Sequence, residues 1–363
     1  MKTSPYERTL AFCRRFRLAA PIVLAPMAGL QTLDLSVAVA RSGGMGALGA
    51  AALSPEDILQ WSERFRRRNP GPFQINLWTP DPPPLRDRVD EERMRLFLKD
   101  WGPTPSDQAG DVRSPDFGAQ LDAALTARPE VFSTIMGLLT RDQAAEFRRA
   151  GVSWWATVTT VGEALLAESA GAEVLIVQGA EAGGHRGVFC SERAESTSSG
   201  LMALIPAVAD AVPLPLVAAG GVADGRGVAA ALVLGASAVQ IGTGFLRARE
   251  ARIPRAWSEA LATAYPEDTR LTRGFSGRLG RSLATAYVQA LEDPSAPRPA
   301  PYPVQRALTR EMREAAAAAN SLDGLQAWAG QGARLARPDA AGEIVNTIWR
   351  GAKGLLGVRP EGA

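Results

Sequence analysis

One segment concentrates the residue types that could do chemistry: QGAEAGGHRG at 178–187, with four glycines in ten residues. It contains His185, the single histidine of the chain. Glycine lets a backbone approach a ligand closely, and an imidazole with a pKa of about 6.5 can accept a proton or offset an anionic substrate. We therefore expect His185 to contact substrate; the alternative is a structural histidine that bonds a loop carbonyl.

A second set of glycines has the pattern of a phosphate site. Gly220 and Gly221 follow one short apolar run, and Gly242 and Thr243 follow the next. Backbone N–H groups in such turns, at the start of a helix, supply donors and positive potential to a phosphate. Ordinary tight turns are the alternative, but two such turns at successive strand ends favour phosphate binding.

Two earlier apolar runs end in residues suited to a flat ligand. The first ends in Pro26, Met27 and Ala28, whose backbone could lie along an aromatic ring. The second carries Asn76, which offers both a donor and an acceptor. Neither stretch is specific alone. Arg186, beside the histidine, is either a further anion contact or a solvated side chain.

Composition limits the class of protein. The 363 residues are 46% hydrophobic and 21% charged, which is typical of a globular chain, and the formal charge of +2 argues against a nucleic-acid binder. One histidine and two cysteines exclude a multi-histidine metal site and a disulfide framework, so we expect no metal and a reducing compartment. Residues 227–246 carry no charge, but Gly235 divides them into a helix and a strand. We therefore expect a soluble, cytoplasmic protein.

The elements that must position these residues alternate along the chain. Short apolar runs that follow glycines predict buried parallel strands, and amphipathic stretches between them predict helices. The predicted strands lie near 22–25, 45–48, 73–77, 132–136, 153–158, 174–178, 216–219 and 238–241. Eight strands in this alternation predict an α/β fold, a (β/α)8 TIM barrel, in which function is expected at the carboxyl ends of the strands.

Two regions depart from the repeat. Residues 79–115 are long and rich in proline, which predicts a loop insertion with a short helix that could serve as a lid or substrate loop. Beyond residue 253 the strand pattern stops, and 304–319 and 321–336 have helical patterns. We therefore expect a barrel over 1–253 and a C-terminal helical segment or small domain over 254–363. The oligomeric state stays open, with a homodimer as one option.

Taken together, several stretches resemble the nitronate monooxygenase family, formerly called 2-nitropropane dioxygenases. They are PIVLAPMAG at 21–29, GGMG at 43–46, FQINL at 73–77, QGAEAGGHRG at 178–187, AGGV at 219–222, GTGF at 242–245, FSGR at 275–278 and WAGQGARL at 328–335. The EAGGH element at 181–185 is the most specific piece, although related flavin enzymes share it. Gly244 departs from the family, since many relatives have a larger residue at this position.

The resemblance implies an FMN-containing TIM barrel with a smaller helical domain beside the flavin. His185 matches the active-site histidine, which contacts the nitro group or removes the α-proton of a neutral nitroalkane. The residues implied in cofactor binding are Pro26, Met27 and Ala28 along the isoalloxazine, Asn76 and Gln178 at its polar edge or ribityl chain, Gly179, Gly183 and Gly184 in the histidine loop, and Gly220, Gly221, Gly242 and Thr243 at the phosphate.

The implied reaction is the oxidation of alkyl nitronates with O2 to carbonyl compounds and nitrite, without a nicotinamide. Two alternatives remain open. The first is an FMN-dependent enoyl-acyl carrier protein reductase or NAD(P)H:quinone reductase, which shares the barrel and the Gly-Gly-His element. The second is a barrel that binds FMN or a phosphorylated metabolite without turnover. The long insertion at 79–115 leaves the size of the substrate open.

Overall fold

A computed structural model describes residues 4–30, 33–69, 71–112 and 114–358. Eight of its strands are parallel and are numbered here along the whole chain: β1 (Ile22–Leu24), β2 (Gly46–Gly49), β3 (Phe73–Trp78), β4 (Val131–Ile135), β5 (Ser153–Val158), β6 (Val174–Gln178), β8 (Leu216–Ala219) and β9 (Ala238–Ile241). They pair in the order β1-β9-β8-β6-β5-β4-β3-β2, and a bridge between Val23 and Met45 closes the ring. The predicted TIM barrel is confirmed.

Helices α2 (Leu33–Arg41), α3 (Pro55–Arg68), α5 (Phe117–Ala127), α6 (Arg141–Arg149), α7 (Val161–Ala170), α8 (Leu201–Ala211) and α9 (Gly225–Leu234) cover the outside of the barrel. Helices α1 (Pro5–Phe16) and α4 (Arg88–Leu98) lie at its two ends. Helix α3 begins as its sequence predicts, because Ser54 accepts a hydrogen bond from Asp57 N (3.1 Å) and Pro55 needs no donor at the first position. Strand β6 is buried along its whole length, as expected for a strand covered on both faces.

Helix α1 closes the amino end of the barrel. Its Phe12 and Phe16 rings lie 5.6 and 5.0 Å from the ring of Trp155, which is fully buried on β5. Aromatic pairs at these distances contribute about 0.5–1.5 kcal/mol beyond the area that they bury. This end of the barrel is therefore filled by side chains, and the opposite, carboxyl end carries the loops.

The proline-rich insertion follows β3. Its first part is an extended segment with Pro80, Pro82, Pro83 and Pro84, and its helix is α4, in agreement with the predicted short helix. Arg278 holds the extended segment through an ion pair with Asp81. The insertion therefore lies at the carboxyl end of the barrel, where the predicted site residues are.

The C-terminal region differs from the prediction. It contains two strands, β10 (Thr269–Thr272) and β11 (Gly280–Leu283), and β11 also pairs with β7 (Gly184–His185) in a three-stranded antiparallel sheet. The expectation that strands stop after residue 253 was wrong, because these strands are short and polar and lack an apolar run. Helices α10 (Arg255–Thr263) and α11 (Ala286–Ala290) flank the two strands.

Of the two C-terminal stretches predicted to be helical, one is helical and the other is not. Residues 304–319 form α12 (Val304–Leu308) and α13 (Arg310–Ala318). Residues 321–336 are turns with a single short 3-10 helix at Ala333–Leu335, since Gly324, Gly330 and Gly332 disfavour a continuous helix. None of the helices in the described ranges combines the length and apolarity needed to cross a membrane.

The last helix, α14 (Ala341–Leu355), returns to the outer layer of the barrel. It buries Ile344, Val345 and Ile348 in the main barrel core, and its backbone lies so close to α9 that a Cβ on Gly225 would be 2.7 Å from Ala352 N. Residues beyond 253 thus add a helix to the barrel. The division of the chain into 1–253 and 254–363 stays a prediction.

Candidate active site

The structure brings the predicted site residues to one end of the barrel. Each lies at or just after the carboxyl end of a strand. Pro26, Met27 and Ala28 follow β1, Asn76 is on β3, Gln178 ends β6, Gly220 and Gly221 follow β8, and Gly242 and Thr243 follow β9. This is the end at which (β/α)8 barrels carry their active sites.

His185 lies on β7 and is held on three sides. Its Nε2 is 2.7 Å from Ser276 Oγ, and its ring packs edge-on against Trp78 (4.7 Å between centroids) and Trp328 (4.9 Å). Pairing of His185 with Gly280 on β11 fixes the backbone. Because the turn before β11, strand β3 and the segment around Trp328 each supply one contact, the imidazole has a defined position and orientation.

The hydrogen bonds of Ser276 favour one tautomer of His185. Ser276 is fully buried, and its Oγ donates to the carbonyl of Arg278 (3.2 Å) and accepts from the Arg278 N–H (3.3 Å). The assignment that satisfies all three contacts of Ser276 Oγ places its hydrogen on the Arg278 carbonyl and has Nε2–H of His185 donating to Ser276. Nδ1 then keeps its lone pair, and no described residue hydrogen-bonds to it. The arrangement leaves Nδ1 as an acceptor for a proton.

Positive charge surrounds this imidazole. Burial, together with the guanidinium groups of Arg278, Arg306 and Arg313, lowers the pKa of His185 from 6.5 to about 3. The imidazole is therefore neutral near pH 7, and of the three cationic side chains that act on it, Arg278 is paired with Asp81. This pKa belongs to the chain without bound ligands, and an anionic ligand would raise it.

Gln178 supports the histidine strand. Its Nε2 donates to the His185 carbonyl (3.0 Å), and its Oε1 accepts from the Gly187 N–H (2.8 Å). Both ends of the amide are thus engaged within the chain. The side chain holds the backbone on both sides of Arg186, and its implied contact with a cofactor stays a prediction.

Asn76 belongs to a polar network across the barrel. Its Nδ2 donates to the Ser133 hydroxyl (3.0 Å), which donates to Gln74 Oε1 (2.9 Å), and Gln74 Nε2 donates to Gln240 Oε1 (2.9 Å). The Oδ1 of Asn76 has no donor in the part of the chain that the structure describes. Asn76 therefore has a fixed orientation and a free acceptor at the carboxyl end of β3.

The turns after β8 and β9 present unpaired backbone donors. Gly220 and Gly221 have φ of 118° and 67°, a conformation that favours glycine. None of the N–H groups of Gly220, Gly221, Gly242 and Thr243 donates to another residue of the described ranges. Successive N–H groups in such a conformation form an anion-binding concavity.

The start of α9, in contrast, is already occupied. Asp224 caps this helix and accepts from the N–H groups of Arg226 (3.0 Å) and Gly227 (3.1 Å). A carboxylate of the chain thus takes two of the donors at this helix start, and the part of the helix start in phosphate binding stays a prediction. The donors that remain free are those of the two turns.

The C-terminal segment lies across the glycine loop. Gly330 N donates to Thr243 Oγ1 (3.0 Å), and Gln331 N donates to the Glu181 carbonyl (2.9 Å). A Cβ on Gly183 would clash with Gly330 N, so the two backbones are in direct contact. The WAGQG stretch at 328–332 thus covers the glycine loop and places Trp328 against His185.

Arg186 is not solvated, and its contact with an anion stays a prediction. It is 1% exposed, its Nη1 donates to the Gly179 carbonyl (2.8 Å), and burial lowers the pKa of its guanidinium. Its Nε and Nη2 have no partner among the described residues. The side chain packs beneath the loop, on the other face of β7 from His185.

Three functional contacts escaped the sequence analysis. Ser276 and Trp328 belong to motifs that carry the family resemblance, FSGR and WAGQGARL, but the motifs assign them no contact. Trp78 directly follows FQINL. The sequence signal in each case was a polar or aromatic residue inside a glycine-rich or strand-end motif.

Known proteins share both the sequence pattern and the fold of this chain. A model of the family "Nitronate monooxygenase" matches residues 12–351. The chain is 36% identical over 338 residues to the nitronate monooxygenase of Paraburkholderia phytofirmans, with 92% of each chain covered. The solved structure of a nitroalkane oxidase from Streptomyces ansochromogenes has a TM-score of 0.86 and 34% identity, and covers 96% of this chain and 100% of its own.

A more distant solved structure shows the fold alone. FabK from Thermotoga maritima has a TM-score of 0.73 at 24% identity, with 96% of this chain and 97% of its own covered. The fold, the site and these likenesses define a (β/α)8-barrel oxidoreductase. The chain belongs to the nitronate monooxygenase family.

Proposed function

We propose that this protein is an FMN-dependent nitronate monooxygenase, which oxidises alkyl nitronates with O2 to carbonyl compounds and nitrite. The observation that carries the proposal is the neutral imidazole of His185, held by Ser276 at the carboxyl end of the barrel. Membership of the nitronate monooxygenase family supports the same reaction.

The residues at this end of the barrel suit FMN. The free N–H groups of Gly220, Gly221, Gly242 and Thr243 would hold its phosphate. Pro26, Met27 and Ala28, with the free acceptor of Asn76 and the backbone of Gly179, Gly183 and Gly184, would lie along the ring and ribityl chain. When bound, FMN supplies the electron transfer and the reaction with oxygen.

The chain's own residues bind and orient the substrate. The positive charge of Arg306 and Arg313, which helps to lower the pKa of His185, also favours an anion beside it, and a nitronate is an anion. For a neutral nitroalkane, the lone pair on Nδ1 of His185 would accept the α-proton. Trp78 and Trp328 restrict water around the imidazole and keep its position fixed.

Oxygen uptake by the purified, FMN-loaded protein tests the proposal. A small alkyl nitronate, added with neither NADH nor NADPH present, is expected to cause rapid uptake and release of nitrite. If several nitronates cause no uptake while NADH bleaches the flavin, the reductase function replaces the monooxygenase function.

A further inference from the structure

A cavity of about 390 Å³ lies beneath the proline-rich insertion. The extended segment with Pro80 to Pro84 forms one wall, and Tyr302 with its neighbours on the C-terminal segment forms another. Ala51, Phe117 and Met136 contribute further apolar lining, and residues of the insertion from Arg86 to Pro115 complete it. Cavities of this size are typical of small-molecule sites, which span about 300–1,000 Å³.

The cavity adjoins the histidine but is separate from the cofactor residues. Trp78 lines it, and the Trp78 ring lies 4.7 Å from His185 and 5.2 Å from Tyr302. None of the residues implied in cofactor binding is part of its lining. A substrate whose reacting carbon lies at His185 could therefore extend a substituent past Trp78 into this space.

The charged groups of the lining are already paired. Asp81 accepts from Arg278, with Nε of the arginine 2.7 Å from its Oδ2. Arg86 pairs with Glu91 (2.6 Å) and with Asp111 (2.5 Å). The described lining thus offers no free charge to a carboxylate, a phosphate or an ammonium group, and burial of an unpaired charge there would be costly.

The walls are preformed and combine apolar surface with the neutral polar side chains of Thr79, Ser114 and Gln120. Proline has a fixed φ and no N–H, so the Pro80 to Pro84 segment offers little hydrogen bonding and little freedom to collapse. The ion pair of Asp81 with Arg278 holds this segment to the β10–β11 region. Aromatic rings of Trp78, Phe117 and Tyr302 add flat apolar surface. Such a space suits a rigid, uncharged, flat group.

We propose that this cavity binds an uncharged aromatic substituent of the nitronate substrate. The inference rests on the proposed function and names its substrate class. An apolar cavity of about 150 Å³ is sufficient to bind benzene, so the larger space beneath the insertion accommodates a phenyl group with room for a link to the reacting carbon.

Binding of fluorobenzene, followed by ¹⁹F NMR, tests the cavity without turnover. We expect the FMN-loaded protein to bind fluorobenzene and the variant Ala51→Phe, whose ring would fill the cavity, to lose at least tenfold in affinity. Ala52→Phe is the matched control, because Ala52 is exposed and outside the lining. No binding by the unmodified protein, or equal binding by Ala51→Phe, overturns the proposal.

Kinetics then connect the cavity to the substrate. The kcat/KM for the nitronate of phenylnitromethane, divided by that for the nitronate of nitroethane, is expected to fall at least tenfold in Ala51→Phe and to stay unchanged in Ala52→Phe. In the unmodified protein, fluorobenzene should raise the KM of the aryl nitronate and leave that of the ethyl nitronate unchanged. The same inhibition of both substrates, or of neither, overturns the proposal.

The two proposals fail in different ways. Fluorobenzene binding that Ala51→Phe abolishes, in a protein that oxidises no nitronate, supports the cavity and contradicts the proposed function. Rapid oxidation of the ethyl nitronate without fluorobenzene binding supports the function and contradicts the aromatic substituent site.

Discussion

Asp81 in the proline-rich insertion and Arg278, the last residue of the FSGR motif, form a two-point ion pair, with Nε and Nη2 of the arginine each bonded to one carboxylate oxygen. Arg278 is almost fully buried, and its backbone holds the Ser276 hydroxyl that bonds His185. The pair therefore connects the insertion that forms the cavity wall with the turn that positions the imidazole.

Asp81→Asn should lower the free energy of unfolding by about 1.5–3 kcal/mol, since it leaves a buried guanidinium without its carboxylate. Asp107→Asn is the control, because Asp107 also pairs with an arginine but its side chain is 93% exposed. The control should change stability by at most about 1 kcal/mol. Urea unfolding measures both, and equal losses would contradict a special role for the Asp81 pair.

His185→Gln should separate the two kinds of substrate. Loss of a general base is expected to slow the oxidation of neutral nitroethane by a factor of about 10²–10⁴. Preformed ethyl nitronate needs no proton removal, so its kcat should fall much less. Oxygen uptake with each substrate measures the difference, with the flavin content checked by absorbance. An equal loss with both would argue for an electrostatic contact in place of a base.

The same variant should alter the pH dependence of stability. The pKa of His185 is lowered from 6.5 to about 3 in the folded chain, so the unfolded chain takes up a proton first as the pH falls. Folding stability therefore decreases below about pH 6.5, by about 1.4 kcal/mol per pH unit for one proton. His185→Gln lacks this loss.

Urea unfolding of the flavin-free proteins between about pH 7 and pH 5 measures this effect. Relative to His185→Gln, the unmodified protein should lose about 2 kcal/mol over this range. Parallel pH profiles of the two proteins would show that His185 titrates normally.

Ser276→Ala should impair His185 without removing it. The Nε2–H loses its acceptor, so the imidazole can change tautomer and orientation, and kcat with neutral nitroethane should fall about tenfold, equivalent to one hydrogen bond of about 1.4 kcal/mol. Ser276→Thr keeps the hydroxyl and should restore most of the rate. A threonine variant as slow as the alanine variant would indicate a packing role for Ser276.

Gly221→Ala should weaken FMN binding. Gly221 has a φ of 67°, and an added Cβ would lie 3.1 Å from the Glu181 side chain, so the turn that offers its N–H would shift. Gly151→Ala is the matched control, with a φ of 76° and open space around its Cβ. Both should lose about 1–2 kcal/mol of stability from strain. Quenching of flavin fluorescence should show weaker binding only in Gly221→Ala.

The sequence predicted the barrel because its strands are continuous apolar runs bounded by glycine. Strand β6 begins and ends at the predicted residues, 174 and 178. Strands β10 and β11, with sequences TRLT and GRSL, have no such run, and β11 gains stability only by pairing with its neighbours. Their presence depends on tertiary contacts, which local sequence patterns do not reveal.

The position of the site could be predicted from the sequence, but the contacts between its side chains were harder to predict. Glycines at strand ends located the turns near Gly220 and Gly242, and the only histidine was evident. Ser276, however, is 91 residues from His185 in the sequence, and the chain must fold before a hydroxyl meets the imidazole. Asp224 shows the reverse case, since a carboxylate near a predicted phosphate site proved to cap its own helix.

The helix that fills the amino end of the barrel has a kinetic consequence. Because Phe12 and Phe16 pack under Trp155, the amino end of the barrel is closed. Organic substrate, oxygen, nitrite and carbonyl product must all pass through the same opening at the carboxyl end. The fold then sets the order in which substrates bind and products leave. A bulky product that is slow to leave will delay the next turnover.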